Sequence, residues 1–398
     1  MRKMPIVFLI CAAVILALSF GIRQSFGLFL DPMTIEFDWT RSVFAFAVAL
    51  QNLLWGLSQP VFGALADRFG IVRTVLLGAI LYVAGLLIMA LGGTPEGLYI
   101  GTGLLVGFGV SGTSFSLVLS AVARATPPAQ RSLALGVVSA GGSFGQFIVP
   151  LFAQGSIGGF GWFAALIVLS ICAGMMAPLA FGLTRADKTV DESVHLQSLG
   201  EALREAAGHK GYWLLNAGFF VCGFHVAFVA THLPAYLVGF DFTPMLAAWA
   251  LATIGLFNII GTLAAGALGG RYRKKNVLSG LYFCRSILFA LFLVAPVSTT
   301  SVLLFSAVMG LLWLGTVPLT GGLVGQIFGP RYMATLFSIV MMSHQIGAFF
   351  GAWIGGYVFD LTGSYEVAWM SAIVLGLASA ALHMPIADKP LRAEAATV

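Results

Sequence analysis

Among the ionisable side chains inside the long apolar runs of this 398-residue chain, five form a shortlist: Arg23, His225, His232, Arg285 and His344. Placing such a group at the centre of a membrane helix costs about 2.5–3.5 kcal/mol on insertion scales, so each is a functional candidate. Arg23 and His225 lie 202 positions apart, an offset that recurs elsewhere in the chain. A guanidinium, charged at all working pH values, facing an imidazole across a cavity suits capture of a carboxylate. Each also has a plainer reading. Arg23 can snorkel toward outer headgroups, and His225 can be a neutral histidine satisfied in the core. His232, seven residues on, shares a helical face with His225 nearer the outer rim. Arg285 is too deep for easy snorkelling, and either binds a ligand or pairs with backbone carbonyls. His344, beside Gln345, faces a cavity or makes an interhelical hydrogen bond.

Uncharged polar residues mark further faces. Ser139, Ser143 and Gln146 share one face of a run, Gln51 and Ser58 another, and Asn258 and Thr262 are i,i+4 neighbours. Gln51, Gln146 and Asn258 are candidate substrate contacts. Their competing role is to join helices, at about 0.6 kcal/mol each. All 15 Asp and Glu fall in loops or at run ends, as Asp31, Asp67 and Asp360 do. A cavity holding Arg and His but no acid carries positive potential, which favours an anionic substrate. Without an embedded acid, a coupled proton would travel on His225, His232 or His344, or on the substrate itself.

Other chemistry is excluded. No nucleophile–base or metal-ligating constellation occurs, so neither an enzyme nor a metal or cofactor site is expected. Cys11, Cys172, Cys222 and Cys284 lie inside apolar runs and read as small buried hydrophobes. Gly141, Gly142 and Gly145 also lie within a run and form no phosphate loop. The formal net charge is +5, but the basic residues are scattered over short loops, so no nucleic-acid partner is expected.

The elements that must position these groups are membrane helices. Hydrophobic residues make up 59% of the chain and charged residues 9%, against about 25% charged in soluble domains. The apolar runs are about 20 residues or longer, enough to cross a hydrocarbon core of roughly 30 Å at about 1.5 Å per residue. They do not alternate as barrel strands do. The first run is too long for a signal peptide and is read as the first helix. The sequence predicts spans Pro5–Leu30, Arg41–Ala66, Ile71–Leu91, Gly97–Ala123, Ser132–Ala153 and Trp162–Leu183. After the polar stretch Thr184–Lys210 come Gly211–Val238, Pro244–Leu268, Asn276–Ala295, Ser301–Phe328, Ala334–Phe359 and Tyr365–Pro385. The expected fold is all-α, with twelve transmembrane helices in two six-helix bundles: 1–183, a cytoplasmic linker 184–210, and 211–398 with a short cytoplasmic tail.

Charge sets the orientation. Of 20 Lys and Arg, Arg41 alone falls in an outer segment, and Arg23 and Arg285 fall within spans. The other 17 are inside when both termini are cytoplasmic, as the positive-inside rule requires. The halves also repeat. Gly63-Ala64-Leu65 recurs as Gly266-Ala267-Leu268, Phe20-Gly21 and Pro32 as Cys222-Gly223 and Pro234, and Pro128 as Pro330, at offsets of 202 or 203. Parallel repeats about an axis along the membrane normal place a binding site near the midplane between halves.

Between the second and third runs stands Gly63-Ala64-Leu65-Ala66-Asp67-Arg68-Phe69-Gly70, followed by Arg73. This resembles the loop signature of the major facilitator superfamily, G-x-L-a-D-r-x-G-r-k, with Ile71 and Val72 in place of the basic pair. The resemblance implies a transporter of two bundles, with Gly63, Asp67, Arg68, Gly70 and Arg73 as a conformational gate. In it, Asp67 would latch against the start of the eleventh span near Arg331 and Ala334. A carboxylate at a helix N-terminus is favourable by about 0.3–1 kcal/mol; the plainer alternative is a turn with a surface ion pair. Arg131-Ser132-Leu133-Ala134-Leu135-Gly136, with Ala140-Gly141 and Gly145, resembles the fifth-helix signature of monocarboxylate transporters and their bacterial relatives. Gly21-Ile22-Arg23-Gln24-Ser25-Phe26-Gly27 and Asp38-Trp39-Thr40-Arg41 resemble the bacterial members.

The expectation is therefore a secondary transporter in a bacterial inner membrane. It would move a small organic anion, a monocarboxylate, by alternating access, with proton coupling or by exchange. Its partners would be that substrate, protons and lipid, and the chain would act as a monomer. The rival within transport is an efflux carrier for neutral or hydrophobic drug-like compounds. Drug–proton antiporters, however, carry a glycine-proline motif in the fifth helix, and Gln146 follows Gly145 here. A membrane receptor would need a signalling domain, for which the linker and tail are too small.

Overall fold

The computed structural model describes residues 6–188, 199–329 and 333–391, and among these the secondary structure is helical with no strand. We number the helices α1 (Ile6–Phe37), α2 (Arg41–Phe69), α3 (Ile71–Leu91), α4 (Pro95–Ala125) and α5 (Pro128–Gly174). They continue as α6 (Leu199–Gly208), α7 (Lys210–Val238), α8 (Pro244–Arg271) and α9 (Lys274–Val294), then α10 (Thr299–Phe328), α11 (Met333–Thr362) and α12 (Glu366–His383).

Among the described residues, 10 helical stretches are long and apolar enough to cross a membrane. One, Leu133–Thr184, is 52 residues long. It turns at Gly161, whose φ of 81° only glycine adopts freely. The expected fifth and sixth spans therefore run together without a loop. The 29-residue α2 lies outside the ten and carries Arg41, Asp67 and Arg68 at its ends. Large apolar side chains face outward, including Leu263 at 66% and Val374 at 61% exposure. Lipid, not water, suits such a surface.

Each half is built on one tight helix pair. In the first, α1 lies on α5, where a Cβ on Gly145 would stand 2.0 Å from the Ala17 carbonyl oxygen. In the second, α7 lies on α11, where a Cβ on Gly347 would stand 1.8 Å from the Phe220 carbonyl oxygen. Gly145 and Gly347 are 202 apart, so the repeat seen in the sequence is a repeat of this close approach. The halves meet along α2 with α11 and along α5 with α8.

Several expected spans are broken where backbone groups are freed. The first α-helical limb of α1 ends at Gln24 and a 3₁₀ turn, Phe26–Phe29, follows. α4 breaks at Thr113 and Ser114, and α10 between Leu312 and Thr316. The latter two breaks are also about one repeat apart. Membrane helices tolerate breaks only where other groups re-satisfy the backbone. Here paired side chains bridge them: Ser19 with Thr113 at 2.8 Å, and Cys222 with Thr316 at 3.1 Å. Residues of low helix propensity stand at both, Ser111-Gly112-Thr113-Ser114 and Gly315-Thr316, but hydropathy reads straight through them.

Candidate substrate site

Arg23 sits in the last turn of the first limb of α1, just before the 3₁₀ turn. Its guanidinium lies 4.9 Å from the Trp55 ring centroid and donates to the Asn52 side-chain oxygen. Asn52 is itself held by a 2.8 Å hydrogen bond to the Val48 carbonyl. Asn52 and Trp55 are i,i+3 on α2 and present one face to Arg23. Nearby, buried Tyr82 donates to the Ser19 carbonyl at 2.9 Å. Phe20 packs on Trp55 and Phe115, with centroids 5.7 and 4.3 Å away. Arg23 is only partly buried, and no carboxylate pairs with it among the described residues. An embedded cation oriented by neutral groups is prepared for an anion.

The other embedded cation is placed differently. Arg285 of α9 is fully buried and reaches the break in α10. It donates to the carbonyls of Leu312 and Trp313, and through Nη1 to Cys222 Sγ at 3.5 Å. Those carbonyls end the helix Thr299–Leu312, where a cation is favourable. Of its two expected roles, the backbone-pairing one is built.

The histidines do not gather around Arg23. His225 is fully buried, its Nε2 2.8 Å from the Ala372 carbonyl of α12 and its ring 4.9 Å from that of Phe289. The expected position opposite Arg23 is not occupied by this ring, because α7 presents His225 to α9 and α12. His232 lies between the Ala352 carbonyl at 2.6 Å and the Tyr365 hydroxyl at 3.3 Å. His344 packs its ring on Phe219 at 5.0 Å.

The polar faces also resolve. Gln51 turns toward α4, donating to the Thr102 carbonyl at 3.4 Å. Gln146 and Asn258 meet across α5 and α8 at 3.4 Å, and Ser143 joins Asn258 at 3.1 Å. Asn258 Oδ1 also accepts from Thr262 and from the Leu314 N–H exposed by the α10 break, both at 3.1 Å. This cluster joins the halves and supports the break.

In the loop after α2, Gly70 takes φ 92°, which explains its residue type. A Cβ on Gly63 would meet nothing within 4 Å. Arg68 lies over Phe69 at 5.2 Å, and Arg73 is exposed. The Asp67 side chain is 75% exposed, with Arg124 of its own half 3.6 Å away. Arg331 lies outside the described residues, as does the side chain of Ala334.

Asn52 and Trp55, which orient Arg23, were not singled out from the sequence. Their mark in the sequence is a polar and an indole side chain three apart in an apolar run, which does not separate Asn52 from Gln51 beside it.

The sequence matches the Major Facilitator Superfamily profile over residues 9–317 and 249–397. The chain belongs to the major facilitator superfamily. This superfamily member is 27% identical over 369 residues to monocarboxylate transporter 13 of Rattus norvegicus, covering 89% of this chain and 82% of that protein. It is 25% identical over 386 residues to an uncharacterised MFS-type transporter, YcxA, of Bacillus subtilis, covering 92% and 91%. The fold matches a crystal structure of a bacterial homologue of the human lysosomal transporter Spinster, in an inward-facing and occupied conformation. The TM-score is 0.73 at 16% identity, covering 94% of this chain and 95% of that one. The protein is thus a multi-pass membrane transporter and not an enzyme.

Proposed function

We propose that this transporter carries a small organic anion, a monocarboxylate, by alternating access, with Arg23 holding the carboxylate. The observation that carries the reading is the state of Arg23: embedded, partly accessible, fixed by Asn52 and Trp55, and without a carboxylate partner among the described residues. The name of the Rattus norvegicus relative supports the same substrate class. Asn52 orients the guanidinium and the Trp55 ring covers its face. Gln146 and Asn258 serve as a contact between halves, and Arg285 keeps the broken α10 together.

We further propose twelve spans, counting α2 as one and the Leu133–Thr184 stretch as two, and two functional halves, 1–183 and 211–398, joined by 184–210. Basic residues collect at the end bearing Asp67 and the linker, which supports cytoplasmic termini in a bacterial inner membrane. Transport is then either symport with a proton or exchange. The test is a thermal-shift screen of the purified protein against carboxylates, amines and neutral drug-like compounds. A ligand that binds the folded state raises the melting temperature. Stabilisation by monocarboxylates alone supports the reading; stabilisation by amines or neutral compounds alone overturns it.

A further inference from the structure

The end of the molecule remote from Asp67 is closed by a contact of a particular kind. Asp360, in the last turn of α11, directs both carboxylate oxygens at the first turn of α2 in the other half. Oδ1 accepts from the Arg41 backbone N–H at 3.0 Å and Oδ2 from the Ser42 N–H at 2.8 Å. These are two of the N–H groups that a helix leaves unsatisfied at its start. The Thr40 side chain at the N-cap position makes no capping bond and hydrogen-bonds Ser42 Oγ instead. The missing cap is therefore supplied across the seam between halves.

The Arg41 side chain does not pair with Asp360. It pairs with Asp31 of its own half at 3.1 Å, donates to the Tyr365 hydroxyl at 2.7 Å, and lies 3.9 Å from the Phe359 ring centroid. Tyr365 is in turn held by His232. One turn before Asp360, a Cβ on Gly356 would stand 2.6 Å from the Ala45 Cβ and 2.9 Å from the Arg41 carbonyl oxygen, so α11 can approach α2 only because Gly356 lacks one. At the opposite end Asp67 is exposed and paired within its own half.

We propose that Asp360 is the lock of this closed end, and that it acts as a helix cap made in trans. Opening this end requires the carboxylate to leave the α2 N-terminus. Because backbone N–H groups receive it, the lock needs an acceptor oxygen at position 360 and a free helix start. It does not need opposite charges at positions 41 and 360. This inference does not depend on which substrate is carried.

The test is a spin-label distance measurement between Ile35→Cys in the first half and Val294→Cys in the second. Both residues lie at the closed end and are exposed, at 80% and 79%. Cys11, Cys172 and Cys284 are replaced by serine, and buried Cys222 is kept. The parent should give one short-distance population. Asp360→Ala should add a longer-distance population, raising the open fraction roughly fivefold, as loss of one cap implies. Asp360→Asn, which retains one of the two acceptor oxygens, should open less than Asp360→Ala and shows that the site folds without the charge. The charge swap Arg41→Asp with Asp360→Arg should resemble Asp360→Ala. Unchanged distances in Asp360→Ala, opening in Asp360→Asn equal to that in Asp360→Ala, or recovery of the closed distance in the charge swap would each overturn the proposal.

Discussion

Removing the charge of Arg23 tests the proposed substrate site most directly. In Arg23→Gln the side chain keeps a donor for Asn52 but loses the cation above Trp55. A hydrogen bond to a charged group contributes about 1.5–3 kcal/mol. At about 1.4 kcal/mol per decade, carboxylate affinity should fall by roughly one to two decades. Arg23→Lys should recover only part of this, because an ammonium lacks the fork that binds Asn52 and a carboxylate together. Asn52→Ala leaves the charge and removes its tether, so it should weaken binding by a smaller factor, roughly three- to tenfold. Binding is read from intrinsic fluorescence, since Trp55 lies under the guanidinium, and transport from uptake into proteoliposomes. Each variant is first checked for an unchanged elution profile and helical content. A folded Arg23→Gln protein with the parent's carboxylate affinity and uptake would refute the assignment.

Arg285→Met should lower stability by on the order of 3 kcal/mol, because the Leu312 and Trp313 carbonyls lose their buried donor. Carboxylate affinity of the folded fraction should stay within threefold, and a selective loss of affinity in a stable variant would show that Arg285 is a ligand. On the symport reading, an inward proton gradient should stimulate uptake in the parent, in His225→Gln and in His232→Gln, because these two rings are engaged by backbone carbonyls. Loss of stimulation in either folded variant would return the proton to histidine, and acceleration by internal substrate with no gradient effect would identify an exchanger. Reporter fusions at Asp187 and at Val398 should both report the cytoplasm; a periplasmic signal at either would overturn the proposed orientation.

Hydropathy and charge alone determine the helical class and the membrane setting, because both are properties of composition along the chain, and the repeat is legible as residue identities recurring at one offset. Arg23 was legible for the same reason: a cation in an apolar run stands out without any knowledge of its neighbours. Its partners were not. Whether Arg23 meets His225 or Asn52 depends on the rotation of α1, α2 and α7 about their axes. That rotation is fixed by close approaches such as Gly145 on Ala17 and Gly347 on Phe220. A repeat offset places two residues at similar depth but does not aim them, so His225 turns to Ala372 instead. Arg285 looked like Arg23 in sequence and differs only because the α10 break offers it two carbonyls. The break itself is silent in hydropathy, since the groups that bridge it come from other helices. The trans cap at Asp360 is likewise invisible along the chain: Asp360 and Ser42 are 318 residues apart, and only the packing of α11 on α2 brings an acceptor to an uncapped helix start.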